Sequence, residues 1–298
     1  MRITFNNQYR DAARGIEVAS ESLIEAQRKV SSGKRISRPS DDPSAAATAV
    51  TERAQIASIE QYSRAADSVA SRLTVVDSAL TDIVERITAA QSTALSGMGT
   101  TRSAAEREAA AKALEGIRGT LLDDFNTSFH GSYVFAGAAA TTKPYTIGGG
   151  GAVGSYAGSS TEVAVDIADE QAVTVAFNGD TIAKGTAGSH VFKTLEDLAA
   201  ALRAGDDSAA QTAFAALGDA FSRAVGAQTR VGVALRTIEG EQVRLQDTKL
   251  ASTERLSRLE DADMAEAIAG MTRADAAYRA ALGAVGTAAR VSLLDYLG

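Results

Sequence analysis

The chain has 298 residues, a formal net charge of −7, 45% hydrophobic residues and no cysteine or tryptophan. The negative charge argues against general binding to nucleic acid or to an anionic membrane, which needs clustered Lys and Arg side chains. The absence of cysteine excludes disulfides, thiol catalysis and the usual structural zinc sites.

The N-terminal segment carries a seven-residue repeat that is typical of a coiled-coil helix. Tyr9, Ile16, Leu23 and Val30 lie seven positions apart, and an alanine follows three positions after each of the first three. The alanines would let a neighbouring helix approach closely. This segment lacks the apolar core of a signal peptide, and no run of 18 apolar residues predicts a membrane span. We therefore expect any export to use another route.

The sequence SRPSDDPS, residues 37–44, interrupts the helical pattern and contains two of the three prolines. Pro39 predicts the end of the first helix, because a residue before proline disfavours helical geometry. Asp42 and Pro43 predict the start of the next helix, with the Asp42 carboxylate accepting from the backbone N–H three residues on. The adjacent side chains of Asp41 and Asp42 should diverge. This stretch is predicted to be a joint and not a catalytic or metal site.

A longer apolar pattern follows the joint, with spacings that alternate between three and four. It predicts one helix of about 50 residues that ends near Gly97–Gly99. Its apolar positions are Ile59, Tyr62, Ala66, Val69, Leu73, Val76, Leu80, Ile83, Ile87, Ala90 and Ala94. A third helix is predicted from the shared face of Leu114, Ile117, Leu121, Phe125 and Phe129.

The middle of the chain changes character. Residues 131–188 contain eleven glycines and two basic residues. The alternating segments Thr161–Ile167 and Ala172–Phe177, followed by an Asn178-Gly179 turn signal, predict a small β-rich insertion with hairpins. The GGGGAVG run lacks the Lys-Ser/Thr ending of a phosphate-binding loop and is predicted to be a flexible loop.

Helical spacing returns near Leu195 and predicts a second long helix. Its seam holds Phe214, Leu217, Phe221, Ala224, Val231, Leu235, Ile238, Leu245, Leu256 and Leu259, with Gln228, Gln242, Lys249 and Ser252 in the remaining places. Asp263 and Glu266 then form a capping-box-like start at a break in phase. A separate last helix is predicted over about 264–294, with an apolar face of Met264, Ile268, Met271, Tyr278, Leu282 and Val285.

No catalytic, cofactor or metal site is predicted. His130 and His190 are the only histidines, lie sixty residues apart and fit no HExxH pattern, so a zinc peptidase is excluded. GxSxG is also absent, and the many serines therefore have no recognisable catalytic setting.

The elements together predict a mainly α chain with a small β insertion, in which long antiparallel coiled-coil helices from both chain ends form an elongated rod capped by a β-rich domain. The predicted domains are a terminal coiled-coil polymerisation domain (1–42 with 260–298), a long-helix rod domain (43–130 with 193–259) and a β-rich outer domain (131–192).

Several motifs resemble a known family. SSGKRISRPSDDPSAAATAV, residues 31–50, resembles the N-terminal signature of the flagellin superfamily, and LEDADMAEAIAGMTRADAAYRAALGAVGTAARVSLLDYLG, residues 259–298, is similar to its C-terminal signature. HGSYVFAG at 130–137, KPY at 143–145 and SYAG at 155–158 resemble the entry to the variable β domain of the members that join the flagellar hook to the filament.

Two kinds of superfamily member compete. Filament flagellins typically have a KDDAAG-like sequence after the SSG motif and an AN-x-x-PQ element before a terminal LSLL. This chain instead has Pro39-Ser40-Asp41-Asp42-Pro43 and continues past Leu294. Both departures are similar to the members that join hook to filament. A filament-forming flagellin is the alternative, and a surface adhesin that binds a glycan through Tyr145, Tyr156 and Phe177 is a weaker one.

The resemblance implies a non-enzymatic protein that is exported unfolded by the flagellar type III apparatus to the extracellular flagellum. Its implied partners are copies of itself in a ring, a second hook-associated protein, flagellin and an export chaperone, with no nucleic acid, membrane or cofactor. It also implies that residues 1–40 and 260–298 order only on assembly. The expected assembly interface is Tyr9, Ile16, Leu23 and Val30, packed with the α-helical face of Met264, Ile268, Met271, Tyr278, Leu282 and Val285 and followed by Leu293, Leu294 and Leu297. Pro39, Asp41, Asp42, Pro43, Asp263 and Glu266 are the expected hinge and helix-start residues.

Overall fold

The structure is a computed structural model that describes residues 2–149, 152–184 and 190–297, with side chains described between residues 10 and 286 of those ranges. In chain order the helices are α1 (Arg2–Ser32), α2 (Pro43–Gly97), α3 (Ala104–Phe125), α4 (Gly179–Ala183), α5 (Val191–Ala204), α6 (Asp207–Glu260) and α7 (Met264–Leu297). The strands lie between α3 and α4 and are β1 (Ser128–Phe129), β2 (Ser132–Tyr133), β3 (Val163–Ala168) and β4 (Gln171–Ala176). The mainly α fold with a small β insertion is confirmed. Within the described residues, no helix combines the length and apolar character that crossing a membrane requires.

The chain divides into two compact units. The terminal unit comprises Met1–Ser58 and Asp247–Gly298, and the central unit comprises Ile59–Gln246. Both long helices, α2 and α6, contribute residues to each unit. The three predicted domains and their boundaries stay a prediction.

The core of the central unit follows the two predicted long seams. On α2, Leu73, Val76, Leu80 and Ile83 are fully buried, and on α6 the same holds for Leu217, Ala224, Val231 and Ile238. These residues belong to one continuous apolar cluster. Fully burying a Leu, Ile or Val side chain stabilises a fold by about 1.5–3 kcal/mol.

Polar seam residues set the alignment of the two long helices within the central unit. The Gln228 side-chain amide donates to the Thr81 hydroxyl at 2.9 Å, and the Gln242 amide donates to the Asp67 carboxylate at 2.7 Å. The two glutamines are fourteen positions apart on α6, and their partners are fourteen positions apart on α2 in the reverse order. The helices therefore run antiparallel here. The glutamines that interrupt the apolar pattern form specific links between helices.

The third helix begins and ends at polar side chains. Ser103 and Glu106 form a complete capping box at its start. Asn126 ends it, and the Asn126 side-chain amide both donates to and accepts from the backbone of Tyr145 at 3.0 Å. Phe129, predicted to share the face of this helix, lies beyond that end in β1.

The β region is built from two antiparallel pairs, β1 with β2 and β3 with β4. Glu170 turns the β3–β4 hairpin with a left-handed backbone at φ 59°. The predicted turn at Asn178-Gly179 is wrong, because the Asn178 side chain instead accepts from the Asp180 N–H at 3.0 Å and starts α4.

An aromatic cluster joins the β region to the neighbouring helices of the central unit. Phe125 of α3 contacts three other rings, those of Phe135, Tyr145 and Phe192, with ring centroids 5.5–5.8 Å apart. All four rings are buried. Such pairs contribute about 0.5–1.5 kcal/mol each beyond the area they bury, which explains how a glycine-rich insertion acquires a fixed core.

The end of α1 also differs from the prediction. The helix ends at Ser32, where Gly33 adopts a left-handed conformation at φ 68° and its N–H donates to the Lys29 carbonyl at 3.0 Å. Glycine at this position relieves the helix end without steric cost. The helix therefore stops at a glycine cap, several residues before Pro39.

Candidate assembly site

The terminal unit pairs the first and last helices of the chain, α1 and α7. The face of α1 that carries the seven-residue repeat is half-buried at Ala12, Ile16, Ala19, Leu23, Ala26 and Val30. On α7 the covered apolar side chains are Ala267, Met271, Ala274, Tyr278, Ala281 and Val285, of which only Ala274 is buried, and Gly270 and Asp275 are half-buried beside them. The apolar contact is small because alanine supplies half of these apolar side chains.

Three of the predicted interface residues of α7 lie outside this seam. Met264, Ile268 and Leu282 are 42–48% exposed. At 3.6 residues per turn they lie about 60–100° around the helix from the centre of that seam, so they border one edge of it. The expected packing of Ile268 and Leu282 against the N-terminal repeat in the assembly stays a prediction. We call Met264, Ile268 and Leu282 the outer stripe.

The outer stripe faces solvent, and α1 adds two more exposed apolar side chains, Val18 (65%) and Ile24 (53%). The side chains of Tyr9, Leu293, Leu294 and Leu297, also predicted interface residues, lie outside the described part of the chain. The assignment of all these residues to an assembly interface stays a prediction.

The linking loop, residues 33–42, joins α1 to α2 and ends in the predicted cap. The Asp42 carboxylate accepts from the Ala45 N–H at 3.0 Å and from the Ser44 hydroxyl at 2.9 Å. The Ala45 N–H, as the larger influence, and the Ser44 hydroxyl hold the pKa of the Asp42 carboxyl below its usual value. Pro43 occupies the first helical position, where its missing N–H leaves no bond unmade.

Asp41 points the other way. Its carboxylate accepts from the backbone N–H groups of Arg38 at 2.9 Å and Ser37 at 3.0 Å, and these bonds lower the pKa of the Asp41 carboxyl. The Asp41 N–H donates in turn to the Arg38 carbonyl at 3.0 Å, which closes a turn through Pro39. The two carboxylates therefore diverge as predicted and bind the chain's own backbone.

The same loop caps the far end of α6. The backbone N–H of Arg35 donates to the Glu260 carbonyl at 2.6 Å, and that of Ile36 donates to it at 3.4 Å. The Arg35 guanidinium reaches the Leu259 carbonyl at 2.8 Å. These are carbonyls that a helix end leaves without intrahelical partners. In addition, the Ala262 N–H donates to the Gly33 carbonyl at 2.9 Å.

A buried carboxylate lies at the centre of this contact. Glu260 is 3% exposed, and its two oxygens meet the Lys34 ammonium and the Arg53 guanidinium, each at 2.6 Å. Burial raises the pKa of the Glu260 carboxyl, but the hydrogen bonds and charges of Lys34 and Arg53 outweigh burial and lower it. The carboxylate is therefore ionised at neutral pH.

The last helix starts at the second predicted cap. The Asp263 carboxylate accepts from the N–H of Ala265 at 2.8 Å and from that of Glu266 at 3.2 Å. The structure therefore brings the loop before α2 and the start of α7 to one place, at the end of α6. Whether this place acts as a hinge stays a prediction.

The central role of Glu260, Lys34 and Arg53 was missed from sequence. These three residues come from distant parts of the chain, and no local spacing connects them. One signal was available: a glutamate at the C-terminal end of a helix opposes the helix dipole and needs cationic partners.

The two histidines lie in different parts of the central unit. His130 lies in the β1–β2 turn with a left-handed backbone at φ 51°, and His190 precedes α5. No group of three or more potential metal ligands is present in the ranges that the structure describes. The hypothesis of a glycan-binding adhesin also loses support, because Tyr145 and Phe177 are buried and their rings offer no surface for a sugar to stack on.

The chain is similar to known proteins in sequence and in fold. Residues 3–140 match the family model of the bacterial flagellin N-terminal helical region. The flagellar hook-associated protein 3 of Escherichia coli (strain K12) is 26% identical over 307 residues, which cover 94% of this chain and 96% of that relative.

Two solved structures share the fold. The flagellar hook associated protein-3 of Legionella pneumophila superposes with a TM-score of 0.64 at 15% identity, over 70% of this chain and 98% of that one. FlgL of Bacillus cereus superposes with a TM-score of 0.60 at 20% identity, over 70% of this chain and 99% of that one.

Proposed function

Because the chain is a member of the flagellin superfamily and a flagellar hook-associated component, we propose that it is the adaptor that joins the hook to the filament. Proteins of this kind are structural components of the flagellum, and the chain is not an enzyme. The observation that carries the proposal is the thin pairing of α1 and α7, which leaves the outer stripe uncovered in the single chain.

The proposed mechanism is coupled folding and assembly. Two helices whose seam is half alanine bury little apolar surface, so the entropy lost on ordering them is poorly offset in isolation. Neighbouring subunits would cover the outer stripe together with Val18 and Ile24. Copies of the chain would then form a ring through a head-to-tail interface, with a second hook-associated protein and flagellin as its axial neighbours.

Export without a cleaved signal peptide belongs to the same proposal. A chain without cysteine carries no crosslinks that would hinder threading through the flagellar type III channel. The destination would be the extracellular flagellum, and an export chaperone would keep the terminal helices from associating early.

The filament-forming alternative is favoured by one finding, since the matching family model is that of flagellin itself. A polymerisation assay separates the two. Purified full-length protein, incubated alone and imaged by electron microscopy, should form no micrometre filaments under the adaptor proposal. It should assemble at the ends of isolated hooks that carry the second hook-associated protein, and then accept flagellin. Long filaments from the purified protein alone would favour the alternative.

Coupled folding has its own test. Amide hydrogen exchange should show less protection in residues 10–32 and 264–286 of the free protein than after assembly on hooks. A free chain in which both helices are as strongly protected as in the assembly would contradict coupled folding while leaving the adaptor role open.

A further inference from the structure

Glu260 has an unusual position for a carboxylate. It is the last residue of α6, where the partial negative charge of the helix end disfavours an anion. It is also 3% exposed, although burying a charge is costly unless it is paired and hydrogen-bonded. Specific partners must therefore stabilise the buried Glu260 carboxylate.

Two cations from separate elements hold it. Lys34 lies in the linking loop and Arg53 lies in the first part of α2, and each places a nitrogen 2.6 Å from a Glu260 oxygen. Their side chains are 42% and 54% exposed, so both cations keep contact with water while the carboxylate does not. The interaction therefore depends on the charge of Glu260 more than on that of either partner alone.

The backbone of the same residue binds the neighbouring part of the loop. Its carbonyl accepts from the N–H groups of Arg35 and Ile36, so one residue contacts three consecutive residues of the linking loop. The side chain of Ile36 is buried at this place, at 7% exposure. Because α1 ends just before this loop and α7 starts four residues after Glu260, the contact lies between the end of α1 and the start of α7.

We propose that Glu260 is an electrostatic latch: its carboxylate holds residues 33–36 on the end of α6, and loss of its charge releases the loop and loosens the α1–α7 pair while the central unit stays folded. The latch is a conformational device of the single chain. It goes beyond the adaptor role and holds whether or not that role is correct.

Hydrogen exchange measured by mass spectrometry on the full-length chain at pH 7 tests the latch. Glu260→Gln keeps the size and an acceptor oxygen but removes the charge. Exchange in peptides covering 33–38 and 262–275 should become about tenfold faster or more, because hydrogen bonds to a charged group are among the stronger ones. Peptides within residues 66–94 of the central unit should exchange as in the wild type.

A matched control is Glu254→Gln. Glu254 lies on the same helix, but its side chain is 59% exposed and pairs only loosely with Arg258, at 3.8 Å. This variant should exchange as the wild type does everywhere. A second variant, Lys34→Gln with Arg53→Gln, leaves the buried carboxylate without its cations and should open the same peptides as Glu260→Gln.

Three results would overturn the latch. One is unchanged exchange at 33–38 in Glu260→Gln. Another is equal acceleration in residues 66–94, which would show general unfolding in place of local release. The third is opening in Glu260→Gln but none in the double variant, which would show that the ion pairs do not hold the loop.

Discussion

Asp42 shows how a single side chain can start a long helix. Its carboxylate accepts from the Ala45 N–H, and this bond was predicted from sequence because an N-cap acts within three residues. Asp42→Ala should make exchange of the first-turn amides of α2 about tenfold faster. Asp42→Asn keeps the accepting oxygen and should stay close to the wild type. Equal exchange in all three proteins would show that the cap contributes nothing.

The same cap should depend on pH. Folding lowers the pKa of the Asp42 carboxyl below 3.8, chiefly through the Ala45 N–H. The stabilisation is therefore fully present above that pH and is lost as the pH falls through the lower folded value. First-turn protection measured between pH 6 and pH 3 and corrected for intrinsic exchange should fall in the wild type and less in Asp42→Asn. A steeper fall in Asp42→Asn would contradict this.

Leu73 and Leu95 offer a matched pair on one helix. Leu73 is fully buried and Leu95 is 59% exposed. Leu73→Ala should lower the free energy of unfolding of the central unit by about 2–5 kcal/mol, since it leaves a cavity. Leu95→Ala should change it by less than about 0.5 kcal/mol. Urea titrations followed by circular dichroism measure both, and similar midpoints would contradict the assigned burial.

At the scale of elements, α7 carries two sets of apolar residues that differ in exposure. The alanine-rich face pairs with α1, whereas the outer stripe is exposed. Ile268→Gln with Leu282→Gln should leave the thermal unfolding of the free protein nearly unchanged and prevent assembly on hooks. Ala274→Glu, on the paired face, should instead disturb the free terminal unit. Normal assembly of the first variant would remove the outer stripe from the proposed interface.

The existence of the helices could be predicted from sequence because a period of seven or of three and four is a local property. The face of α7 that pairs with α1 could be predicted only in part, because Met271, Tyr278 and Val285 lie on it but the alanines between them were not assigned to it. Hydrophobicity ranks Ile268 and Leu282 above Ala267 and Ala274, but close approach of two helices selects small residues. Similarly, Asn178-Gly179 fits a hairpin turn and a helix cap equally well, and only the surrounding core decides between them. Contacts such as Lys34–Glu260 join residues far apart in the chain, so no local sequence spacing predicts them.

At the scale of the whole molecule, the aromatic cluster and the long seams lie in the central unit, while the proposed assembly surfaces lie in the terminal unit. Deleting residues 264–298 should therefore leave a soluble protein with a cooperative unfolding transition that no longer assembles. Circular dichroism and the hook assay measure the two properties. Loss of the cooperative transition would show that the central unit needs α7.

The order in which this chain folds follows from the sequence separation of the contacts that α6 makes with α2 and with the linking loop. The Gln228–Thr81 bond spans 147 residues, the Gln242–Asp67 bond spans 175, and the Lys34–Glu260 pair spans 226. Loop-closure entropy grows only with the logarithm of loop length, by about 0.6 kcal/mol per doubling. Once the innermost contact exists, each outer contact adds little further loop-closure entropy cost. Folding should therefore proceed from the middle of the chain outward. The two chain ends are then the last parts to fold and the first to unfold.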